Sequence, residues 1–223
     1  MRENEIPAQH AVRRVEQIDH GLFVLSVERD GLAFTPGDCV ALHNNEGQSR
    51  PYSIASGNGE DELRFLIREM SGGEVSPWLA ARKPGDSVGI SPPFGWFRPG
   101  QHPEGGESVF IATGTGIAPF LSYRESFPDA PPQTVLYGVR TLRAAVGVDR
   151  LTGWYNLYLA ISREPHPDHH AGRVTDLIDG LKVASNTRFY LCGLERMVNT
   201  VSMQLQAQGV DLLHIHREVF FHE

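Results

Sequence analysis

Val109-Phe110-Ile111-Ala112-Thr113-Gly114-Thr115-Gly116-Ile117-Ala118-Pro119 is the stretch that decides the fold class. The apolar run Ser108–Ala112 reads as a buried strand. It enters a turn with two glycines, and the pattern beyond predicts a helix over Ile117–Ser126. Gly114 and Gly116 allow backbone angles closed to other residues and close approach of a second backbone or a ligand. The unbonded N–H groups at a helix start can hold a pyrophosphate. The G-x-G-x-x-G fingerprint is incomplete, because Pro119 stands at the third glycine position, and an ordinary strand-to-helix turn explains the spacing alone.

Downstream, strands are expected at Thr134–Gly138, Asn156–Ser162 and Arg188–Cys192, and helices at Arg173–Gly180 and Leu194–Gln208. Alternating strand and helix means a parallel, doubly wound α/β sheet with crossover helices. Ligands of such sheets sit outside the carboxyl ends of the strands. Here those ends carry Arg140, in Tyr137-Gly138-Val139-Arg140, and Ser162-Arg163. Arg163 with Ser162 could bind a ribose 2′-phosphate through charge-assisted hydrogen bonds, helped by Arg140 and Arg173. An NAD site would show an acid there instead, so NADP is the preferred reading. Each arginine taken singly is a solvated surface charge; the convergence of three strand ends carries the argument.

Upstream, the first hundred residues read as antiparallel β-structure. Short runs at Gly21–Val27, Cys39–Leu42, Leu63–Arg68 and Ser87–Ser91 are separated by Gly/Pro turn clusters, which suggests a β-barrel. One short helix is expected at Ser76–Ala81, with Ser76 as N-cap and Pro77 as first helical residue. That geometry explains both residues and equally presents N–H groups to a phosphate. The linker is placed at His102–Gly106, giving a barrel domain over 1–104 and an α/β domain over 105–223. Within the barrel, Arg50-Pro51-Tyr52-Ser53 combines a cation for a pyrophosphate, an aromatic for a flat ring and a hydroxyl for a ring nitrogen. On an extended strand Arg50 and Tyr52 share a face and Ser53 points away, so a kink at Pro51 or a strand end is required.

Net charge is −7 and the pI near 5.8, which argues against a nucleic-acid surface. Arg13, Arg14, Arg64 and Arg82 remain available for a local basic face. Two cysteines, Cys39 and Cys192, indicate no disulfide framework and point to a reducing cytoplasm; they are too few for an all-cysteine iron–sulfur cluster. Met1–Glu5 is charged and lacks the apolar core of a signal peptide, and no apolar run approaches the roughly 20 residues of a membrane span. The prolines around His166, Asp168, His169 and His170 favour a solvated loop over a metal site. His214 and His216 alternate in a last strand, and Trp78, Trp96 and Trp154 read as packing or lid residues.

Arg50-x-Tyr52-Ser53, Gly73-x-x-Ser76, Gly95-x-Phe97, Thr113–Pro119 and Cys192-Gly193, in this order, resemble the ferredoxin–NADP reductase family. Tyr137–Arg140, Ser162–Pro165 and the closing Arg217–Phe221 are most similar to its bacterial NADP-dependent branch. The resemblance implies a flavoprotein with FAD and NADP that passes electrons to a ferredoxin or flavodoxin; separately, no membrane partner is expected and the chain is expected to be a monomer. It implies that Arg50 and Pro51 lie at the FAD pyrophosphate, Tyr52 stacks on the isoalloxazine and Ser53 sits near flavin N5. Ile67 and Arg68 would line the ribityl–phosphate path, and Gly73, Val75 and Ser76 a flavin phosphate. Thr113, Gly114 and Gly116 would meet the NADP pyrophosphate, and Arg140, Ser162, Arg163 and Arg173 the 2′-phosphate. Cys192, Gly193 and Glu218 would approach the nicotinamide, with Phe220 over the other flavin face. Ser53, Cys192 and Glu218 are the expected catalytic set. FMN in place of FAD, an oxygenase reductase, a free-flavin reductase and a non-catalytic regulatory subunit are the alternatives.

Overall fold

A computed structural model describes residues 7–101, 106–153 and 156–221. The first half holds strands β1 (Ala8–Asp19), β2 (Leu22–Glu28), β3 (Cys39–His43), β4 (Ser49–Ser53), β5 (Glu62–Arg68) and β6 (Ser87–Ile90). They form one antiparallel sheet in the order β4-β3-β6-β1-β2-β5. The sheet curls until its ends meet, where the Ala55 N–H donates to the Arg64 carbonyl at 2.8 Å. Alternation drives this: Phe23, Leu25 and Val27 of β2 and Phe65 and Ile67 of β5 all turn into a core shared with Val40, Leu42 and Val88.

No strand was expected at β1. Its register shifts between Val12 and Arg14 and again between Gln17 and Asp19, and such irregularities break the period-2 signal a sequence shows. The short helix α1 (Val75–Ala80) covers the barrel with Val75 and Leu79. Its start corrects the expected cap. Glu74 is the N-cap, without a side-chain bond, and Ser76 lies inside the first turn, where its Oγ accepts the Met70 N–H at 2.9 Å. Pro77 is tolerated because first-turn N–H groups have no helical partner.

The second half holds β7 (Ser108–Thr113), helix α2 (Ala118–Ser126), β8 (Thr134–Val139), α3 (Val148–Leu151), β9 (Asn156–Ile161), β10 (His170–Ala171), β11 (Arg188–Leu194), α4 (Glu195–Ala207) and β12 (Ile215–Phe221). The parallel sheet runs β10-β9-β8-β7-β11-β12, so the chain reverses direction across the sheet between β7 and β11. That is the topological switch point, where such sheets open a crevice. The expected helix over 173–180 is a 3₁₀ stretch, Val174–Gly180, and a 3₁₀ turn, Gly114–Ile117, precedes α2. His214 sits in a 3₁₀ turn before β12 rather than in the strand, whereas His216 stacks on Tyr190 at 4.6 Å.

Gly116, in the 3₁₀ turn before α2, is pressed against β11. A Cβ there would lie 2.3 Å from the Cys192 carbonyl oxygen, a contact that must push backbone apart. Gly116→Ala is therefore expected to cost about 1–3 kcal/mol of stability, read as a lower denaturation midpoint with an unchanged slope.

One apolar cluster joins the halves. Leu22, Ala55, Leu66 and Phe97 from the barrel pack with Phe110, Phe120, Tyr123 and Tyr190 from the α/β domain. Phe97 meets Phe120 and Tyr190 edge-on at 5.8 and 5.9 Å. Polar ties flank it: Ser122 Oγ donates to the Ser56 carbonyl at 2.7 Å, Arg143 Nε to the Ile18 carbonyl at 2.9 Å and Thr141 Oγ1 to Asp19 at 3.2 Å. The crevice between the halves is thus preformed. The expected boundary at 104/105 and Trp154 lie outside the described residues. Trp78 packs against the barrel under Arg82, whereas Trp96 is not a packing residue, being 96 % exposed.

Candidate functional site

A cavity of about 1060 Å³ opens at the switch point. The ends of β7, β8 and β9 contribute Thr113-Gly114-Thr115, Gly138–Arg140 and Ser162-Arg163, and the segment after β10 contributes Gly172–Asp176. Arg68 reaches in from the barrel and Arg196 from the first turn of α4. Five arginines, Arg68, Arg140, Arg163, Arg173 and Arg196, therefore line one cavity together with a single acid, Asp176. That acid is already engaged. It accepts the Arg173 N–H at 2.7 Å and lies 3.1 Å from His170 Nε2, and these bonds hold its carboxyl below the usual range. Burial, and then the neighbouring Arg140, push the Arg68 guanidinium down. A surplus of cations in a half-enclosed space is a polyanion site.

The loops presenting these arginines are zipped together. The Arg163 N–H donates to the Arg140 carbonyl at 2.9 Å, and Ser162 Oγ donates to the Val139 carbonyl at 3.2 Å. Gly114 has φ +54 and no atom within 4 Å of where a Cβ would stand, an open cradle at the strand end. Gly193, at φ +138, leaves no room for a Cβ, which would fall 2.3 Å from Thr113 Oγ1. Gly116 is buried, and close packing against the Cys192–Gly193 backbone requires the glycine there. Arg196, Thr200 and Asp176 were absent from the sequence expectations. Arg196 enters because it stands in the first turn of α4, directly after β11, and no local pattern marks it.

A second cluster spans the domains. Ser53 Oγ donates to Glu218 Oε1 at 2.9 Å, and Cys39 Sγ lies 3.2 Å from Ser53 Oγ and 3.6 Å from Glu218 Oε1. β4 pairs with β3 without interruption through Ser53, so the strand needs no kink at Pro51; it ends at Ser53, which faces the α/β domain. Glu218 is paired in register with Cys192 on β11, bringing Cys192-Gly193 alongside. Burial raises the Glu218 carboxyl above the ordinary carboxylate range, against the pull of its hydrogen bonds to Ser53 and Cys39. Burial and then Glu218 push the Cys39 thiol up to about 12, and the fully buried Cys192 thiol is raised well above its ordinary value for the same reasons. Neither sulfur is an activated nucleophile.

The remaining expected residues stand outside both clusters. Arg50 is exposed, with Nη1 donating to the Ser49 carbonyl at 2.8 Å. Tyr52 is half-buried, and burial pushes its hydroxyl up to about 12. The side chains of Ile67 and Val75 lie in the barrel core, so only their backbone is available. The Gly73 N–H donates to the Met70 carbonyl. Phe220 packs against the interdomain cluster. His166 and His169 stack at 4.5 Å, and among the described residues no three His, Cys, Asp or Glu side chains gather as a metal site.

Residues 12–98 match the family described as Oxidoreductase FAD-binding domain, and residues 110–203 match Oxidoreductase NAD-binding domain. The flavodoxin/ferredoxin–NADP reductase of Escherichia coli (strain K12) is 30 % identical over 210 residues, covering 84 % of this chain and 85 % of the relative. The chain belongs to the ferredoxin–NADP reductase family. The toluate 1,2-dioxygenase electron transfer component of Pseudomonas putida is 31 % identical over 231 residues, covering 95 % of this chain and 67 % of the relative. Among solved structures, a ferredoxin NADP⁺ reductase from Neisseria gonorrhoeae with bound FAD and NADP has the same fold, with a TM-score of 0.86 at 22 % identity, covering 98 % of this chain and all of that one. The reductase-family chain described here is accordingly a flavoprotein oxidoreductase with an FAD-binding and a nicotinamide-dinucleotide-binding domain. Among the described residues no helix is long and apolar enough to cross a membrane.

Proposed function

We propose that this chain transfers electrons between NADP(H) and a one-electron protein carrier, such as a ferredoxin or flavodoxin, with FAD bound between its domains. The arginine-lined cavity at the strand ends, together with the Ser53–Glu218 pair that joins the domains, carries this reading. Arg140, Ser162, Arg163 and Arg173 would hold the 2′-phosphate, and Thr113, Gly114 and Arg196 the pyrophosphate. Gly193 would leave room beside the nicotinamide. Arg50 would pair with the FAD pyrophosphate, while Tyr52 and Phe220 would offer flat faces to its ring. The backbone of Val75 and Ser76 would meet a flavin phosphate. A bound flavin supplies the exchange between two-electron and one-electron transfer. Ser53 and Glu218 would hold a proton at the reacting edge and orient it, as a fixed hydroxyl–carboxyl pair can. Two free thiols suit a reducing cytoplasm.

The similarity to the toluate dioxygenase component favours a second reading, in which the carrier belongs to an oxygenase system. The site chemistry is the same in both, and the acceptor separates them. The purified protein is expected to be yellow and to bleach anaerobically with NADPH faster than with NADH, followed by visible absorbance. A colourless polypeptide that takes up neither FAD nor FMN would remove the proposal; faster bleaching by NADH would reverse the dinucleotide preference.

A further inference from the structure

A loop of the barrel domain carries two aromatic rings into solvent. Trp96 is 96 % exposed and Phe94 46 %. The loop holding them is built, not loose. Cys39 and Phe94 exchange both backbone hydrogen bonds at 2.8 Å. Arg98 Nη2 donates to the Gly95 carbonyl at 3.1 Å and to Asp38 Oδ1 at 2.7 Å, and Phe97 is anchored in the interdomain core. Trp96 therefore points outward because its neighbours are fixed.

The sheet register says what lies next to these rings. Phe94 is paired with Cys39, and Cys39 with Ser53. Directly opposed residues of antiparallel strands put their side chains on one face. Phe94, Cys39 and Ser53 thus form a single row that ends on Glu218. Pro51, exposed and two residues before Ser53, shares that face. An apolar strip runs from solvent to the hydroxyl–carboxyl pair.

Charge points the same way. The four barrel arginines available for a basic face are paired within the barrel: Arg13 with Asp61, Arg14 with Glu62, Arg64 with Glu60 and Glu62, and Arg82 with Asp86. The whole chain carries a net charge of −7. The cation in the loop itself, Arg98, is likewise paired, with Asp38 at 2.7 Å, so the loop that carries the rings offers a strongly acidic carrier no free charge from Arg98.

Resting on the electron-transfer reading above, we propose that Trp96 and Phe94 anchor the protein carrier, and that the carrier presents a weakly charged, apolar docking face. Tryptophan is one of the residue types enriched among interface positions that carry binding energy. A partner centred on Trp96 is brought beside the Ser53–Glu218 pair, where a short transfer distance is needed.

The test uses the full-length flavoprotein with NADPH and three acceptors: ferricyanide, a [2Fe–2S] ferredoxin and a flavodoxin. Trp96→Ser is expected to lower kcat/KM at least about tenfold for whichever carrier the wild type reduces, with ferricyanide turnover unchanged. Trp96→Phe should restore most of that loss. Raising salt to about 0.5 M should change wild-type carrier turnover by less than about threefold, since exposed charge pairs would be screened and apolar contacts would not. Unaltered carrier turnover in Trp96→Ser, a steep loss with salt, or a wild type that reduces ferricyanide but neither carrier would each overturn the docking proposal. Failure of NADPH to reduce even ferricyanide would instead sink the electron-transfer reading itself.

Discussion

Replacing Arg163 with alanine is expected to lower kcat/KM for NADPH about 30- to 100-fold and to leave that for NADH within about threefold. Arg163 follows β9, its backbone tied to Arg140, with its guanidinium on the cavity that Arg140 and Arg173 also line. A hydrogen bond to a charged group contributes about 1.5–3 kcal/mol, and each 1.4 kcal/mol is a factor of ten. Only NADPH carries the 2′-phosphate that would use it. Arg196 supplies the contrast. It stands in the first turn of α4, directly after Leu194, whose N–H donates to Thr113 Oγ1 at 3.1 Å, and is assigned to the pyrophosphate beside Thr113. Arg196→Ala should weaken both dinucleotides equally, by about tenfold. Steady-state kinetics and calorimetric binding of 2′,5′-ADP against 5′-AMP separate the two. Equal losses of NADPH and NADH in Arg163→Ala would refute its assigned role.

The second large effect is expected at Glu218. Glu218→Gln keeps the shape and the Ser53 contact but cannot exchange a proton, and a positioned acid–base group contributes about 10²–10⁴ in rate. Pre-steady-state turnover with NADPH and a carrier should fall about a hundredfold, and the high-pH limb of the wild-type profile should vanish. Stability should move the other way. Because burial raises the Glu218 carboxyl in the folded state, ionising it costs folding free energy, and that cost appears as pH rises above the ordinary carboxylate value. Below that value both proteins carry a neutral side chain. Glu218→Gln should thus match the wild type in thermal midpoint near pH 4 and exceed it near pH 8. A variant whose loss is confined to KM, or one less stable at pH 8, would contradict a proton-holding role.

Both effects depend on groups that only folding brings together. Ser53 and Glu218 stand 165 residues apart, and no periodicity links them. A family resemblance named each residue; the hydrogen bond across the domains is a property of the shared apolar core. The four barrel arginines looked free in the sequence, yet Arg13 and Arg14 meet acids 48 residues away across the barrel. Ser76 carried the right chemistry for a cap, but α1 starts one residue earlier, at Val75, and its hydroxyl accepts the Met70 N–H instead.

The sequence by itself determined the two-domain plan: a β-rich half, and a half whose apolar strands alternate with helices and end in glycine, hydroxyl and arginine. Those signals are local, since period and turn chemistry act over a few residues. Tertiary structure alone decided the strand β1, the arginine–acid pairing, the entry of Arg196 into the cavity and the outward stance of Trp96. Each depends on which distant segment lies alongside, and burial, register and charge compensation exist only after the chain has closed on itself.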